Sequence, residues 1–200
     1  MRILLTGFEP FGTNKINASW ETVKSFENVN IPGVEIFVRQ TPISYKRAVG
    51  CMQQLLAELK PDAVIMTGQA TGRKKITIER IAVNLMDART PDNDGYQPED
   101  LPIYEDGEFG YFTTTPIKAL RDALIENGLP AKISNSAGLF VCNTILYEVL
   151  RLNKTVYPDL KAGFIHIPLL DEQAQDFPGR DTISREMAHN AIQIAIDLLK

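Results

Sequence analysis

The chain has 200 residues, 44% apolar and 23% charged, with 21 basic against 25 acidic side chains for a net charge of −4. That length suits a single domain over residues 1–200, the apolar share supports a real core and excludes disorder, and no Lys/Arg block is present to track a phosphate backbone, so nucleic acid is excluded as a partner. No apolar run approaches the ~20 residues of a membrane span, and Met1-Arg2-Ile3-Leu4-Leu5-Thr6-Gly7 is too short in its apolar part for a signal peptide, which predicts a cytoplasmic protein with no membrane partner.

Residues 2–6 read as an apolar strand stopped by Gly7. The loop 7–12 carries Phe8 and Phe11 and has neither G-x-G-x-x-G nor Gly-Lys-Ser/Thr, so it suits an apolar ring better than a phosphate. Asn17-Ala18-Ser19 offers an N-cap to a short helix with Trp20, Val23 and Phe26 on one face. Pro32-Gly33 is a turn and 34–38 a strand. Ser44 caps a helix that Pro61 stops; Ala48, Cys51, Met52, Leu55, Leu56 and Leu59 recur there at helical spacing, which makes Cys51 a core residue. Residues 62–68 form a short apolar run ending in Gly68, the pattern of a buried parallel strand.

Residues 74–84 combine β-favouring Thr77, Ile78, Ile81 and Val83 with recurring polar groups, which predicts an extended strand, antiparallel or at a sheet edge. Residues 87–109, rich in Pro, Gly, Asp and Asn, read as a long functional loop or an insertion. Its Asp92-Asn93-Asp94-Gly95 fails the calcium-loop spacing, which would need acids or amides where Thr90 and Leu101 stand. Thr115-Pro116 opens a helix with Ala119, Leu120, Ala123 and Leu124 inward, and Gly128 closes it. A strand at 131–135, a helix at 144–152 and a strand at 162–168 follow. The terminal helix, 184–200, puts Met187, Ala191, Ile194, Ala195 and Leu198 on one face. Strands alternating with helices predict an α/β domain with a mostly parallel sheet and helices on both faces.

In such sheets working residues collect beyond the C-terminal ends of strands, where Gly7-Phe8, Gly68-Gln69, the stretch 136–144 and His166 fall. Cys142 sits where a loop becomes a helix N-terminus, a place that stabilises a thiolate; beside Leu139, Phe140 and Val141 it also reads as a small core residue. The two cysteines form no zinc pattern with the two histidines, and a reducing compartment argues against joining them. His189 lies off the apolar stripe of its helix and is expected to face solvent. His166 is the one histidine placed to act as a base, since one helix and one return strand fit between it and Cys142. Glu79 reads as an edge-strand charge, as an arginine partner, or as the group that orients the imidazole.

Six blocks in order carry a family likeness: Thr6-Gly7-Phe8-Glu9-Pro10-Phe11-Gly12, Met66-Thr67-Gly68-Gln69, Glu79-Arg80, Asp87-Ala88-Arg89 with Pro91-Asp92-Asn93, Ser136-Ala137-Gly138 with Phe140-Val141-Cys142-Asn143, and Phe164-Ile165-His166-Ile167-Pro168. Nearly end to end, the chain resembles the type I pyroglutamyl peptidases, cysteine peptidases that remove an N-terminal pyroglutamate. The resemblance implies a three-layer α/β sandwich like that of nucleoside phosphorylases. It implies a Cys142–His166–Glu79 triad, Arg89 supporting a main-chain oxyanion hole, a ring pocket of Phe8, Phe11, Phe140 and Val141, and Gln69 touching the lactam or its surroundings. It also implies a cytoplasmic homotetramer that needs no metal or cofactor. The chain departs from the family pattern at Ala18, Thr71, Thr90, Leu139 and 169–171, none of them a triad position. A small-molecule-binding or nucleoside-phosphorylase-like domain with a structural Cys142, and a non-catalytic scaffold of the same fold, are the rival readings.

Overall fold

Strands whose odd and even positions are both apolar must be covered on both faces, and that requirement sets the architecture. The computed structural model describes residues 1–200. In chain order the elements are β1 (Arg2–Phe8), α1 (Ala18–Lys24), β2 (Glu35–Thr41), α2 (Tyr45–Leu59), β3 (Ala63–Gln69), β4 (Ile76–Glu79), β5 (Ile81–Val83), β6 (Gly110–Phe112), α3 (Ile117–Glu126), β7 (Ala131–Ser134), α4 (Val141–Thr155), β8 (Lys161–Ile167), β9 (Leu169–Leu170), β10 (Thr182–Ile183) and α5 (Arg185–Leu199). The central sheet runs β2-β1-β3-β8-β4-β7. Neighbours are parallel except β4 and β8, so β4 and β7 run against the other four strands.

Side-chain alternation sorts the core into two layers. Ile3, Leu5, Ile65, Ile78, Ile165 and Ile167 pack under α1, α3 and α5; Leu4, Val64, Met66, Ala162 and Phe164 pack under α2 and α4. The result is the expected three-layer α/β sandwich. Asn17, Ser44 and Ser184 cap α1, α2 and α5 by accepting from the backbone N–H of Ser19, Arg47 and Met187, each bond worth about 1 kcal/mol. Gly7 lets α1 lie against β1: a Cβ there would stand 2.7 Å from the Ser19 and Trp20 backbone.

Several expectations change. β4 is antiparallel to β8 but not at an edge, since β7 covers its other side and all four residues are buried. Its polar residues, Thr77 and Glu79, are paired inside the protein. The chain breaks at Arg80, and β5 leaves the sheet to pair with β6. The helix expected at 144–152 begins three residues earlier, so Cys142 lies in its first turn. Ala119 and Leu198 are exposed rather than inward. His189 does not face open solvent: it stacks on Phe26 at 4.2 Å and its Nδ1 meets Ser25 Oγ at 2.6 Å.

The stretch 87–109 has little regular structure but is held at many points. Asp92 accepts from the N–H of Tyr45, Asp94 and Tyr96. Asn93 donates to Glu9 Oε1 at 2.9 Å and to the Pro10 carbonyl at 3.0 Å, and accepts from Gly12 N–H at 3.1 Å. The Asp-Asn-Asp-Gly turn thus fastens the phenylalanine-bearing loop after β1.

Candidate active site

The site grows from one missing side chain. Gly68, near the end of β3, is the register partner of His166 on β8. A Cβ on Gly68 would stand 2.8 Å from the Phe164 ring and 3.1 Å from Cys142 Sγ, so the glycine is the hollow that lets the thiol settle onto the sheet beside the histidine strand. Thr77 and Glu79 of β4 pair with His166 and Phe164 across the antiparallel junction, and all share the face covered by α4. The junction of opposed strands therefore brings a carboxylate, an imidazole and a thiol from three separate elements to one face.

The Glu79 carboxylate is fully buried, and its Oε1 lies 2.7 Å from His166 Nδ1. A carboxylate only accepts, so Nδ1 carries the hydrogen and Nε2 is left as a free acceptor. Arg73 Nη1 reaches the same oxygen at 2.6 Å and also donates to Thr77 Oγ1. Burial by itself would raise the Glu79 pKa, but the hydrogen bond and charge of His166, with Arg73, outweigh it and hold the group below its usual value. Burial lowers His166, with Glu79 opposing, which favours a neutral imidazole.

The expected activation of Cys142 by its helix end is not what dominates at rest. Removal from water, and then the negative charge of Glu79, push the thiol up to about 12, against smaller help from Arg73 and from the cysteine's own backbone N–H. A neutral thiol over Gly68 and a neutral imidazole on the neighbouring strand hold the same number of protons as a thiolate–imidazolium pair. One proton transfer therefore converts the resting form into the nucleophilic one without drawing on solvent. Asn143 and Thr144 N–H bond the Phe140 carbonyl at 3.0 and 3.3 Å, which leaves the N–H groups of Val141 and Cys142 at the start of α4 without acceptors and able to receive an oxyanion.

Cys142 opens into a cleft of about 180 Å³ walled by Phe8, Phe11, Ile43, Phe140 and Val141, with Asn14, Asn17, Gln69, Thr71 and Thr90 as its polar groups. Phe11 and Phe140 meet edge to face at 5.5 Å, and Phe140 meets Tyr45 likewise at 5.4 Å. No acidic side chain lines the cleft. Gln69 Oε1 accepts from Ala18 N–H at 2.8 Å and from Gln173 Nε2 at 2.9 Å. Those bonds fix the amide; its NH₂ donates to Thr71 Oγ1 at 3.4 Å and keeps a second hydrogen to act as a donor. Arg89, one residue before Thr90, is exposed.

Sequence reasoning had placed Phe8, Phe11, Gln69, Phe140, Val141, Cys142, His166 and Glu79 in the site, and the fold draws the first six to the cleft and the last two into a bonded pair. It did not single out Arg73, Thr77 or Gln173, and it gave Gly68 and Asn93 no role of their own. Gly68 was read as the end of a strand where working residues collect, not as a hollow for the thiol; nothing in the spacing marked Arg73.

An α/β sandwich with a thiol and helix-end N–H groups at an aromatic cleft, and a buried carboxylate-bound imidazole on the same sheet face, has the equipment of a cysteine-type hydrolase. The comparisons are narrower. The chain belongs to the pyroglutamyl peptidase family, whose sequence profile matches residues 1–200. It is 47% identical over 196 residues to the pyrrolidone-carboxylate peptidase of Thermococcus onnurineus (strain NA1), covering 98% of this chain and 97% of that protein. It is 44% identical over 199 residues to the one from Thermococcus kodakarensis, covering 100% and 96%. Among solved structures, pyroglutamyl peptidase I of Bacillus amyloliquefaciens superposes with a TM-score of 0.95 at 36% identity, over 99% of this chain and 96% of that one. A variant of the pyrrolidone carboxyl peptidase of Pyrococcus furiosus gives 0.95 at 42% identity, over 100% and 98%.

Proposed function

We propose that this chain is a cysteine exopeptidase that hydrolyses the amide bond after an N-terminal pyroglutamyl residue, with Cys142 as nucleophile, His166 as base and acid, and Glu79 as the group that orients the imidazole. The observation that carries the reading is the bonded Glu79–His166 pair on the same sheet face as a thiol that opens into a cleft with aromatic walls. A pyroglutamyl group has no free α-amine. A cleft without a carboxylate suits it, because no ammonium has to be neutralised. Phe8, Phe11, Phe140 and Val141 provide apolar walls for the lactam ring, and the Gln69 NH₂ is the donor for its carbonyl oxygen.

As Cys142 Sγ attacks the scissile carbonyl, its proton passes to His166 Nε2, and the oxyanion is held by the N–H groups at the start of α4, with Arg89 in support. The imidazolium then gives that proton to the leaving amine as the C–N bond breaks, leaving a thioester. Water, deprotonated by Nε2, attacks the thioester and releases pyroglutamate, and the proton returns to sulfur. Glu79 stays ionised throughout and stabilises the imidazolium.

No helix is long and apolar enough to cross a membrane. The proposal takes the 200 residues as one domain of the cytoplasm that needs no cofactor, assembled as a homotetramer. Phe109, 96% exposed, and Phe112, 69% exposed, on and beside the β5–β6 hairpin support a self-association surface that sedimentation tests. The activity is tested with a panel of fluorogenic amides. Release from the pyroglutamyl compound, with none from the prolyl and glutamyl ones, is expected; a folded protein that leaves the pyroglutamyl amide intact sinks the proposal.

A further inference from the structure

We propose that Arg73 is a positioning residue of this site: its guanidinium fixes the Glu79 carboxylate against His166, sets how tightly that pair holds its proton, and ties the loop that leads to Cys142 to the same point. The inference rests on the reading of Cys142, His166 and Glu79 given above and adds a fourth group to it.

Arg73 lies on the loop between β3 and β4 and is anchored there by its own N–H to the Ala70 carbonyl at 3.1 Å. One guanidinium nitrogen bonds Glu79 Oε1 at 2.6 Å and Thr77 Oγ1; the other bonds the Ser136 carbonyl at 3.3 Å. Two of these partners belong to β4 and the third to the segment that delivers Cys142. A rigid planar fork can span them, whereas a lysine ammonium carries its donors on one compact nitrogen and lacks the two-pronged reach.

The electrostatic consequence follows from sharing one oxygen. A buried carboxylate whose only cationic partner is an imidazole keeps that imidazole protonated, because the alternative is an isolated buried charge. With Arg73 on the same Oε1, the carboxylate is already neutralised and His166 is released to be a neutral base. The charge of Arg73 lowers both the thiol and the imidazole, consistent with that role. Neighbouring charges are turned elsewhere: Lys74 pairs with Asp181 at 3.5 Å and Arg80 with Asn135 at 2.8 Å. Tyr45, which Cys142 also feels, is kept protonated by burial; Arg73, Glu79, His166 and Cys142 are thus the groups whose charges meet at the site.

The test compares wild type with Arg73→Gln and Arg73→Lys by two readouts: the pH profile of kcat/KM on a pyroglutamyl amide, and the pH profile of Cys142 alkylation by iodoacetamide. In Arg73→Gln both limbs of both profiles are expected to move up by about one pH unit or more, the size of a lost neighbouring charge. In Arg73→Lys the limbs stay near wild type while kcat falls roughly tenfold or more at little-changed KM, reflecting lost geometry with charge retained. Limbs that superimpose for wild type and Arg73→Gln overturn the proposal. If Arg73→Gln does not fold, the Lys variant decides alone: a kcat equal to wild type overturns the role. The alkylation profile separates this inference from the proposed activity, since a limb shift without amide hydrolysis contradicts the activity and leaves Arg73 standing.

Discussion

Gly68 shows how the site depends on an absence. Adding one methyl as Gly68→Ala places a carbon 2.8 Å from the Phe164 ring and 3.1 Å from Cys142 Sγ, so the ring or the sulfur must move. We expect a loss in kcat of about a hundredfold from misplacing the nucleophile, with a stability loss of only about 1–3 kcal/mol from overpacking; unchanged kcat in the variant contradicts the geometry. Glu79→Gln keeps the shape and removes the charge that stabilises the imidazolium. Steady-state kinetics should show kcat down about a thousandfold or more, and activity within a few-fold of wild type would refute the orienting role. The site was partly legible at this scale because Cys142, His166 and Glu79 carry their chemistry in their residue types. Glu79 was ambiguous for a physical reason: two of its three readings hold at once, since it bonds both an arginine and the imidazole. The roles of Gly68 and Arg73 were not legible because they are set by approach and pairing across elements, which no local spacing encodes.

At the scale of elements, apolar runs and capping residues announced β1, β3, β8 and the caps of α1 and α2, because those depend on neighbours in sequence. Of the two readings of β4, the antiparallel one holds and the edge one does not, because its polar side chains are satisfied by partners from β8 and from the loop after β3. The reversal at the β4–β8 pair is the reason Glu79 reaches His166, so the one antiparallel junction in the sheet is also the one the site uses. The irregular stretch 87–109 acts as a brace. Asn93→Ala removes its side-chain bonds to Glu9, Pro10 and Gly12 and frees the loop that carries Phe11. The expected outcome is a KM raised about tenfold with kcat less affected, since an uncoupled wall weakens ground-state and transition-state binding together. A KM equal to wild type would show that Phe11 is held without the brace.

Over the whole molecule, the buried titratable groups give stability a defined dependence on pH. His166 and Glu79 both have folded values below the ordinary 6.5 and 4.5, so the unfolded chain binds more protons as pH falls through each window. Stability should therefore decline as pH drops below about 6.5, and again below about 4.5, toward the folded values. Cys142 acts at the other end: raised from 9.0 to about 12, it contributes stability below pH 9 that is lost as pH climbs toward 12. Urea unfolding from pH 4 to 10 checks this, and stability independent of pH between 7 and 5 would contradict the burial of a neutral His166. The two-layered core that makes such burial possible was readable from the strands, because residues apolar on both faces leave only a covered sheet as a solution.

The most direct measurement is kcat/KM for a pyroglutamyl fluorogenic amide with wild type and Cys142→Ala, both checked for folding by circular dichroism. The account predicts hydrolysis by wild type and a loss of about ten-thousandfold or more on removing the sulfur. Hydrolysis that survives in Cys142→Ala would contradict it.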